Sequence, residues 1–226
     1  MTVLILAIVW PVTNPQNLCP DIDPSCKCVT RPATEGSGSR IVIECVNMGV
    51  REKVPSFNIR GITIDEVIIS GDTKLRKIDE SAFADLNVRK LTLSGIGIEE
   101  LDKQALRGTD LTLKELLLDN NQLTTLPIPV FSGVTNLKTL NLSNNNITSL
   151  NLDLFIHLQN LVTLDISDNE LMLIASKTFR KNSQLESLHM QRNKLIRLAF
   201  DLLTNANLIN KSNANLINLF LCMCKE

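Results

Sequence analysis

Histidines, neighbouring carboxylates and cysteines are the residues of this chain that could carry chemistry. His157 and His189 are the only two histidines among 226 residues, and neither adjoins a recognisable nucleophile motif. Asp165 and Asp168 are close enough in sequence to act as an acid–base pair. However, no GxSxG, HExxH or phosphate-binding loop accompanies them, and surface carboxylates are far more often solvated than catalytic. The sequence therefore predicts no catalytic residues, no cofactor and a protein that is not an enzyme.

Four cysteines crowd near the amino terminus in the pattern C-x6-C-x-C-x16-C. In an exported chain such a cluster is typical of a disulfide framework, and four cysteines allow three pairings. Zinc binding is the alternative, but the cluster lacks a second close pair of ligands and a nearby histidine. The Asp21-x-Asp23 pair lacks the further oxygen ligands of a calcium site, so we predict no metal. The cysteines are Cys19, Cys26, Cys28 and Cys45.

An apolar run from Val3 to Trp10 opens the chain. It is too short to span a bilayer and has the character of a signal-peptide core, although no Lys or Arg precedes it and no small-x-small cleavage site follows. A buried strand is the alternative. Because the clustered cysteines favour export, we expect residues 1–18 to be a signal peptide with its lead-in and the protein to be extracellular. Three sequons would then be open to glycosylation, at Asn141, Asn146 and Asn210.

The charge balance excludes two classes of partner. Lys and Arg total 23 against 24 Asp and Glu, for a net charge of −1. This balance gives no electrostatic basis for binding nucleic acid or an anionic membrane surface.

A repeated element must position these residues. Four segments, LKELLLDNNQLTTL, LKTLNLSNNNITSL, LVTLDISDNELMLI and LESLHMQRNKLIRL, open 24 residues apart at Leu113, Leu137, Leu161 and Leu185. Apolar residues occupy positions 1, 4, 6, 11 and 14 of each unit. Positions 4 and 6 point to one face of a short strand, so stacked units form a parallel sheet over a continuous apolar core. Unrelated amphipathic helices would not also supply Asn at one fixed phase.

Two further positions of the unit have a structural role. The amide at position 9 can donate to and accept from the backbone of its own and the neighbouring turn. A bulky residue at position 19 anchors the returning half-turn and is expected to form a spine on the convex side. The amides are Asn121, Asn145, Asn169 and Asn193, and the spine residues are Phe131, Phe155, Phe179 and Leu203. Two degenerate units precede these, with Asp72 and Ile96 at position 9 and Phe83 and Leu106 in the spine.

The frame LxxLxLxxNxLxxL resembles that of leucine-rich repeat proteins. The cysteine block, from Cys19-Pro20 to the alternating segment IVIEC, resembles the amino-terminal cap of extracellular members. The resemblance implies an α/β right-handed solenoid with a parallel sheet on its concave side and irregular or short helical turns on its convex side. It also implies the cap disulfides Cys19–Cys28 and Cys26–Cys45.

We expect the chain to divide into a cap over residues 19–61, repeats over 62–204 and an irregular last repeat over 205–226 that is either truncated or atypical. NANLIN occurs at 205–210 and again at 213–218, which indicates a small duplication inside a repeat. Cys222 and Cys224 near the end could open a second cap, stay free or bridge to another molecule.

A narrower resemblance follows from the cap together with IDESAF and LDKQALRGTDLTLKELLLDNNQLTTLP. These segments are similar to secreted arthropod leucine-rich repeat proteins, a group that includes the non-catalytic subunit of a shrimp luciferase. The resemblance implies a recognition module that binds a protein or a glycoconjugate. The alternatives are an accessory subunit of a secreted enzyme and the truncated ectodomain of an adhesion or innate-recognition receptor.

The outward strand positions of the regular units would form the binding surface. Side chains one turn apart stand about 5 Å from each other, and the carboxylates at positions 115, 119 and 165 favour a basic or hydrogen-bond-donating ligand. A merely solvated face is the alternative, since Trp, Tyr and Arg anchors are missing. A glycan on Asn141 would occupy the middle of this face. The predicted ligand-binding residues are Glu115, Leu117, Asp119, Thr139, Asn141, Thr163, Asp165, Ser187 and His189.

Overall fold

The computed structural model describes residues 22–33, 39–49, 52–57, 59, 62–71, 74–84, 86–109 and 111–198. The predicted signal peptide and the irregular last repeat lie outside these residues. So do the predictions that concern Cys19, Asp21, Asp72, Leu203, Asn210, Cys222 and Cys224.

Within the described residues the chain forms short strands and tight turns. No helix there is long or apolar enough to cross a bilayer, and a single 3₁₀ turn spans Ile128–Phe131. The strands are β1 (Cys26–Pro32), β2 (Ser39–Val46), β3 (Thr63–Ser70), β4 (Lys77–Ile78), β5 (Asn87–Thr92), β6 (Glu100–Leu101), β7 (Glu115–Leu117), β8 (Thr139–Asn141), β9 (Thr163–Asp165), β10 (Leu173–Ile174), β11 (Ser187–His189) and β12 (Arg197–Leu198).

One eight-stranded sheet runs through the fold in the order β1-β2-β3-β5-β7-β8-β9-β11. The strand β1 is antiparallel to β2, and every later pair in the sheet is parallel. Two-stranded parallel sheets, β4 with β6 and β10 with β12, form separately. The predicted solenoid, with one main strand per unit, is therefore confirmed, and turns rather than long helices make its return segments.

The core forms where the apolar frame predicts it. Leu116 pairs with Leu140, Leu140 with Leu164, and Leu164 with Leu188 in successive strands. All four are buried, with at most 4% of their surface exposed. Since strand residues alternate between faces, their neighbours in sequence point away from this core.

The position-9 asparagines connect adjacent turns. Asn121 Nδ2 donates to Leu93 O at 2.7 Å in the preceding unit and to Leu118 O at 2.9 Å in its own. Its Oδ1 accepts the N–H groups of Ile98 at 3.1 Å and Ile96 at 3.2 Å. Asn145, Asn169 and Asn193 likewise donate to a carbonyl of each of the two units, and each accepts one N–H of the preceding unit. The predicted role of these amides is confirmed.

A phenylalanine spine fills the convex side. The ring centroids of Phe131 and Phe155 lie 6.3 Å apart, and those of Phe155 and Phe179 lie 5.7 Å apart, in both cases stacked. Phe83 is also fully buried, and Leu106 takes the equivalent place in the unit between. Stacked aromatic rings at these distances add attraction beyond the area that they bury.

The cap is closed by a disulfide between Cys26 and Cys45. The two residues face each other across the antiparallel pair of β1 and β2, so this predicted bridge is confirmed. Cys28 is also disulfide-bonded, whereas the pairing predicted for it with residue 19 lies outside the described residues and stays a prediction.

Candidate binding face

The outward face of the main sheet is arranged in rows, because the strands pair in register. Positions 3 and 5 of each unit form two such rows, and in the regular units position 7 lies two residues beyond the end of each strand. The first row carries Glu66, Lys90, Glu115, Thr139, Thr163 and Ser187, and the second carries Glu44, Ile68, Thr92, Leu117, Asn141, Asp165 and His189. Eight of the nine predicted ligand-binding residues thus lie in two rows, and Asp119 lies at position 7 beside them.

A charged triad occupies the first row. Lys90 Nζ lies 3.1 Å from Glu66 Oε1 and 3.9 Å from Glu115 Oε2. Glu66 is buried, with 8% of its surface exposed, and also accepts from Thr92 Oγ1 at 3.3 Å. Lys90 therefore lies between carboxylates on the two flanking strands, close to Glu66 and farther from Glu115. Because half-buried pairs are less screened by salt than fully exposed ones, this arrangement holds Lys90 in one place on the face.

Glu66 and Lys90 were not among the predicted residues, because they lie outside the regular units from which the outward positions were taken. The signal was present, since the apolar frame of the degenerate units already assigns both residues to position 3. Their presence also revises the expected electrostatics. Glu115 has a lysine partner, and the face is less acidic at this end than its carboxylates alone suggest.

The other two predicted carboxylates accept hydrogen bonds from neutral groups. Asp119 Oδ1 accepts from Ser94 Oγ at 2.7 Å. Asp165 Oδ1 accepts from the backbone N–H and the hydroxyl of Ser167 at 2.9 Å and 2.6 Å. Among the described residues neither carboxylate has a Lys or Arg within ion-pair distance. They are consequently the carboxylates of this face whose charge no described cation offsets.

One contact on the face joins a serine to a histidine. Ser187 Oγ lies 2.9 Å from His189 Nε2, a neighbour that the sequence analysis did not anticipate. Asp165 is the strand partner of His189, but its carboxylate is engaged by Ser167 as described above. The nucleophile–base–orienter chain of a hydrolase triad is not formed here. His157 lies exposed on the convex half-turn, and no cluster within the described residues could hold a metal ion.

A ladder of left-handed residues borders the face at position 8, another feature that sequence reasoning missed. Arg192 ends this ladder and forms an ion pair with Asp168 of the preceding unit. The Arg192 side chain, through its hydrogen bonds and charge, holds the pKa of the Asp168 carboxyl below its usual value. The ladder carries positive φ at Asn47, Gly71, Gly95, Asn120, Asn144, Asp168 and Arg192. The signal was the recurrence of Gly, Asn and Asp at one phase.

Two of the predicted glycosylation sites fall within the described residues. Asn141 is half-buried in β8, and its Oδ1 accepts the Ser143 N–H at 3.0 Å. Asn146 is exposed in the turn that follows the strand. A glycan on Asn141 would stand on the outward face, whereas a glycan on Asn146 would leave that face open.

Comparisons with known proteins agree with the fold. The family described as "Leucine rich repeat" matches residues 112–171, and no curated protein matches the chain. A chain of the LRIM1/APL1C complex is similar with a TM-score of 0.57 and 26% identity, over 70% of this chain and 30% of that one. Human 5T4, also called Wnt-activated inhibitory factor 1 or trophoblast glycoprotein, is similar with a TM-score of 0.55 and 23% identity, over 73% of this chain and 72% of that one.

This chain therefore spans less than a third of the length of its LRIM1/APL1C neighbour. The narrower resemblance to secreted arthropod proteins stays a prediction. By its repeat, its sheet and these neighbours, the described part of the chain is a leucine-rich repeat solenoid closed at its amino-terminal side by a disulfide cap.

Proposed function

We propose that this protein is secreted and recognises another protein through the outward, concave face of its main sheet. The observation that carries the proposal is the registered set of outward rows from β2 to β11. Solenoid repeats of this kind present extended concave surfaces that bind partners. In this protein the position-9 asparagines hold the backbone of the face in place, so the face binds with little loss of conformational entropy.

Export is supported by the cap. The disulfide between Cys26 and Cys45 is of a kind that persists in oxidising compartments. The apolar run Val3 to Trp10 has the composition of a signal-peptide core. Both features favour an extracellular recognition role over an intracellular one.

A protein partner is favoured over a glycoconjugate by one comparison. The LRIM1/APL1C neighbour is itself part of a complex of two named proteins, which supports a heteromeric role for this fold. If the partner is an enzyme, the protein is an accessory subunit; if the partner is a cell-surface molecule, it is a recognition module or a receptor ectodomain.

Site-specific photo-crosslinking tests the proposal. A photoreactive amino acid is placed at Glu115 or Ser187, at two ends of the predicted face, or at Lys181, which is exposed on the convex half-turn. Each variant is incubated with extracellular fluid or membranes from the source tissue, and crosslinked proteins are identified by mass spectrometry. We expect one stoichiometric partner from a face position and none from the convex position. Crosslinks from Lys181 alone would overturn the proposal.

A further inference from the structure

The outward face divides into two chemically different halves. Apolar side chains are confined to the cap side, where Val46 is 49% exposed and Ile68 and Leu117 are half-buried. From β8 to β11 the described outward positions carry only polar side chains. The distal positions are Thr139, Asn141, Ser143, Thr163, Asp165, Ser167, Ser187, His189 and Gln191.

The cap-side half has the composition of an interface centre. Ile68 and Leu117 lie in one row on either side of Thr92, so about 10 Å separates them at the usual strand spacing. Protein interfaces combine a core of large apolar contacts with a polar and charged rim. The distal half lacks such apolar anchors.

The rim around these apolar residues is acidic. At the outward positions of β3, β5 and β7 and the turn after β7, carboxylates outnumber cations by three to one, which leaves two uncompensated negative charges. Glu115 is the most available carboxylate, because its side chain is 48% exposed and its lysine contact is long, at 3.9 Å. The three carboxylates are those of Glu66, Glu115 and Asp119, and the cation is Lys90. Toward the cap, Lys27, Arg31 and Arg40 share this face with Glu44.

From this arrangement we infer that the binding centre lies on the cap-side half, over β3, β5 and β7. The occupant is a segment of a partner protein in which a large apolar side chain is flanked by Lys or Arg. The apolar side chain packs against Ile68 and Leu117, and its basic neighbours face Glu115 and Asp119. Complementary charge of this kind steers association and selects against acidic partners. The inference rests on the proposed function and gives it a location and a partner chemistry.

A peptide library provides the probe. Short random peptides displayed on phage are selected on the immobilised full chain, and the enriched peptides are synthesised. We expect them to combine a large apolar residue with Lys or Arg, and we expect their affinity to fall as salt rises. Enrichment of acidic or purely neutral peptides would overturn the inference.

Matched lysine substitutions locate the bound peptides. Leu117→Lys removes an apolar contact and adds a repelling charge, whereas Thr163→Lys adds the same charge at another half-buried outward position two strands away. We expect Leu117→Lys to weaken binding at least about tenfold, as for an interface hot spot, and Thr163→Lys to change it less than about threefold. Glu115→Gln should weaken binding at low salt and reduce the salt dependence. Melting curves confirm that each variant is folded.

The outcomes separate this inference from the proposed function. If the peptides bind the Leu117→Lys variant normally but bind the Thr163→Lys variant weakly, the binding centre lies on the distal half. The inference would then fail, while recognition through the concave face would stand. If the peptides bind both variants normally, they bind away from the outward face. This result would count against the inference and against the proposed function. In the crosslinking experiment, we expect the natural partner to be captured from position 115 and not from position 187.

Discussion

Replacing Asn145 with alanine is the most direct test of how the turns are held together. The residue is 7% exposed. Its Nδ2 donates to the carbonyls of Leu118 and Leu142, both at 3.0 Å, and its Oδ1 accepts the Leu123 N–H at 3.1 Å. Nδ2 also donates to Ser143 O at 3.2 Å. Alanine removes all four bonds and leaves the backbone groups in place.

The four groups are not affected equally. Leu118 O also accepts from Asn121, Leu142 O also accepts from Asn169, and Ser143 O also accepts from the Asn120 N–H. Each carbonyl therefore keeps one partner. The N–H of residue 123 has no second acceptor among the described contacts and becomes a buried, unpaired donor. Such a group costs about 1–3 kcal/mol, and each lost carbonyl bond costs roughly 0.5–1.5 kcal/mol. We therefore expect Asn145→Ala to lower the free energy of unfolding by about 3 kcal/mol.

Urea unfolding followed by circular dichroism measures the loss. Asn146→Ala is the matched control, because this neighbouring amide is exposed and its replacement should change stability by less than about 0.5 kcal/mol. Hydrogen exchange adds a local readout, since the amide of residue 123 should lose protection in Asn145→Ala and keep it in the control. If Asn145→Ala cost less than about 1 kcal/mol and left amide protection unchanged, the position-9 asparagines would not connect the turns as their geometry indicates.

Further predictions concern the cap, the left-handed ladder and the ion pair at its end. Replacing Cys26 and Cys45 together with alanine should cost about 3 kcal/mol, since their disulfide closes a loop with a sequence separation of 19; an unchanged melting temperature would contradict this. Asn144 has φ 52°, so Asn144→Gly should be nearly neutral and Asn144→Val should cost about 1 kcal/mol or more in urea unfolding; equal costs would show that the backbone is not strained. Because the pKa of Asp168 is lowered in the folded state, its pair with Arg192 stabilises the fold above the ordinary pKa of Asp, and this contribution disappears as pH falls through the lowered value. Arg192→Gln should therefore cost less than about 1 kcal/mol at neutral pH, as for an exposed pair, and progressively less as the pH falls below the ordinary pKa of Asp; a cost that did not shrink on acidification would contradict the assignment.

The fold was predictable because each unit repeats the same physical constraint. The interior amide of Asn145 and the spine ring of Phe155 recur at fixed phases, so a sequence period alone identifies their roles. The cap bridge between Cys26 and Cys45 needed a family resemblance as well, since spacing left three pairings open. Long helices on the convex side were not expected and are not found in the described residues.

The candidate face was only partly predictable. Its distal half follows from the alternation of strand residues, and the same alternation should have shown that Ser187 and His189 lie side by side. The triad around Lys90 was missed because its unit lacks the asparagine that marks the regular frame. Which carboxylates carry ion pairs depends on side-chain positions across neighbouring strands, and no single unit contains that information.

Core and outward residues alternate within each strand, and this alternation lets the face be specific without weakening the fold. In β7, Leu116 is fully buried, whereas Glu115 and Leu117 on either side point outward. A slip of one residue would exchange these roles, and the amide of Asn121 prevents it by fixing the turn that follows. Outward residues can therefore change in size and charge while the core contacts stay the same. For this reason, Leu117→Lys should alter what the protein binds far more than it alters the melting temperature.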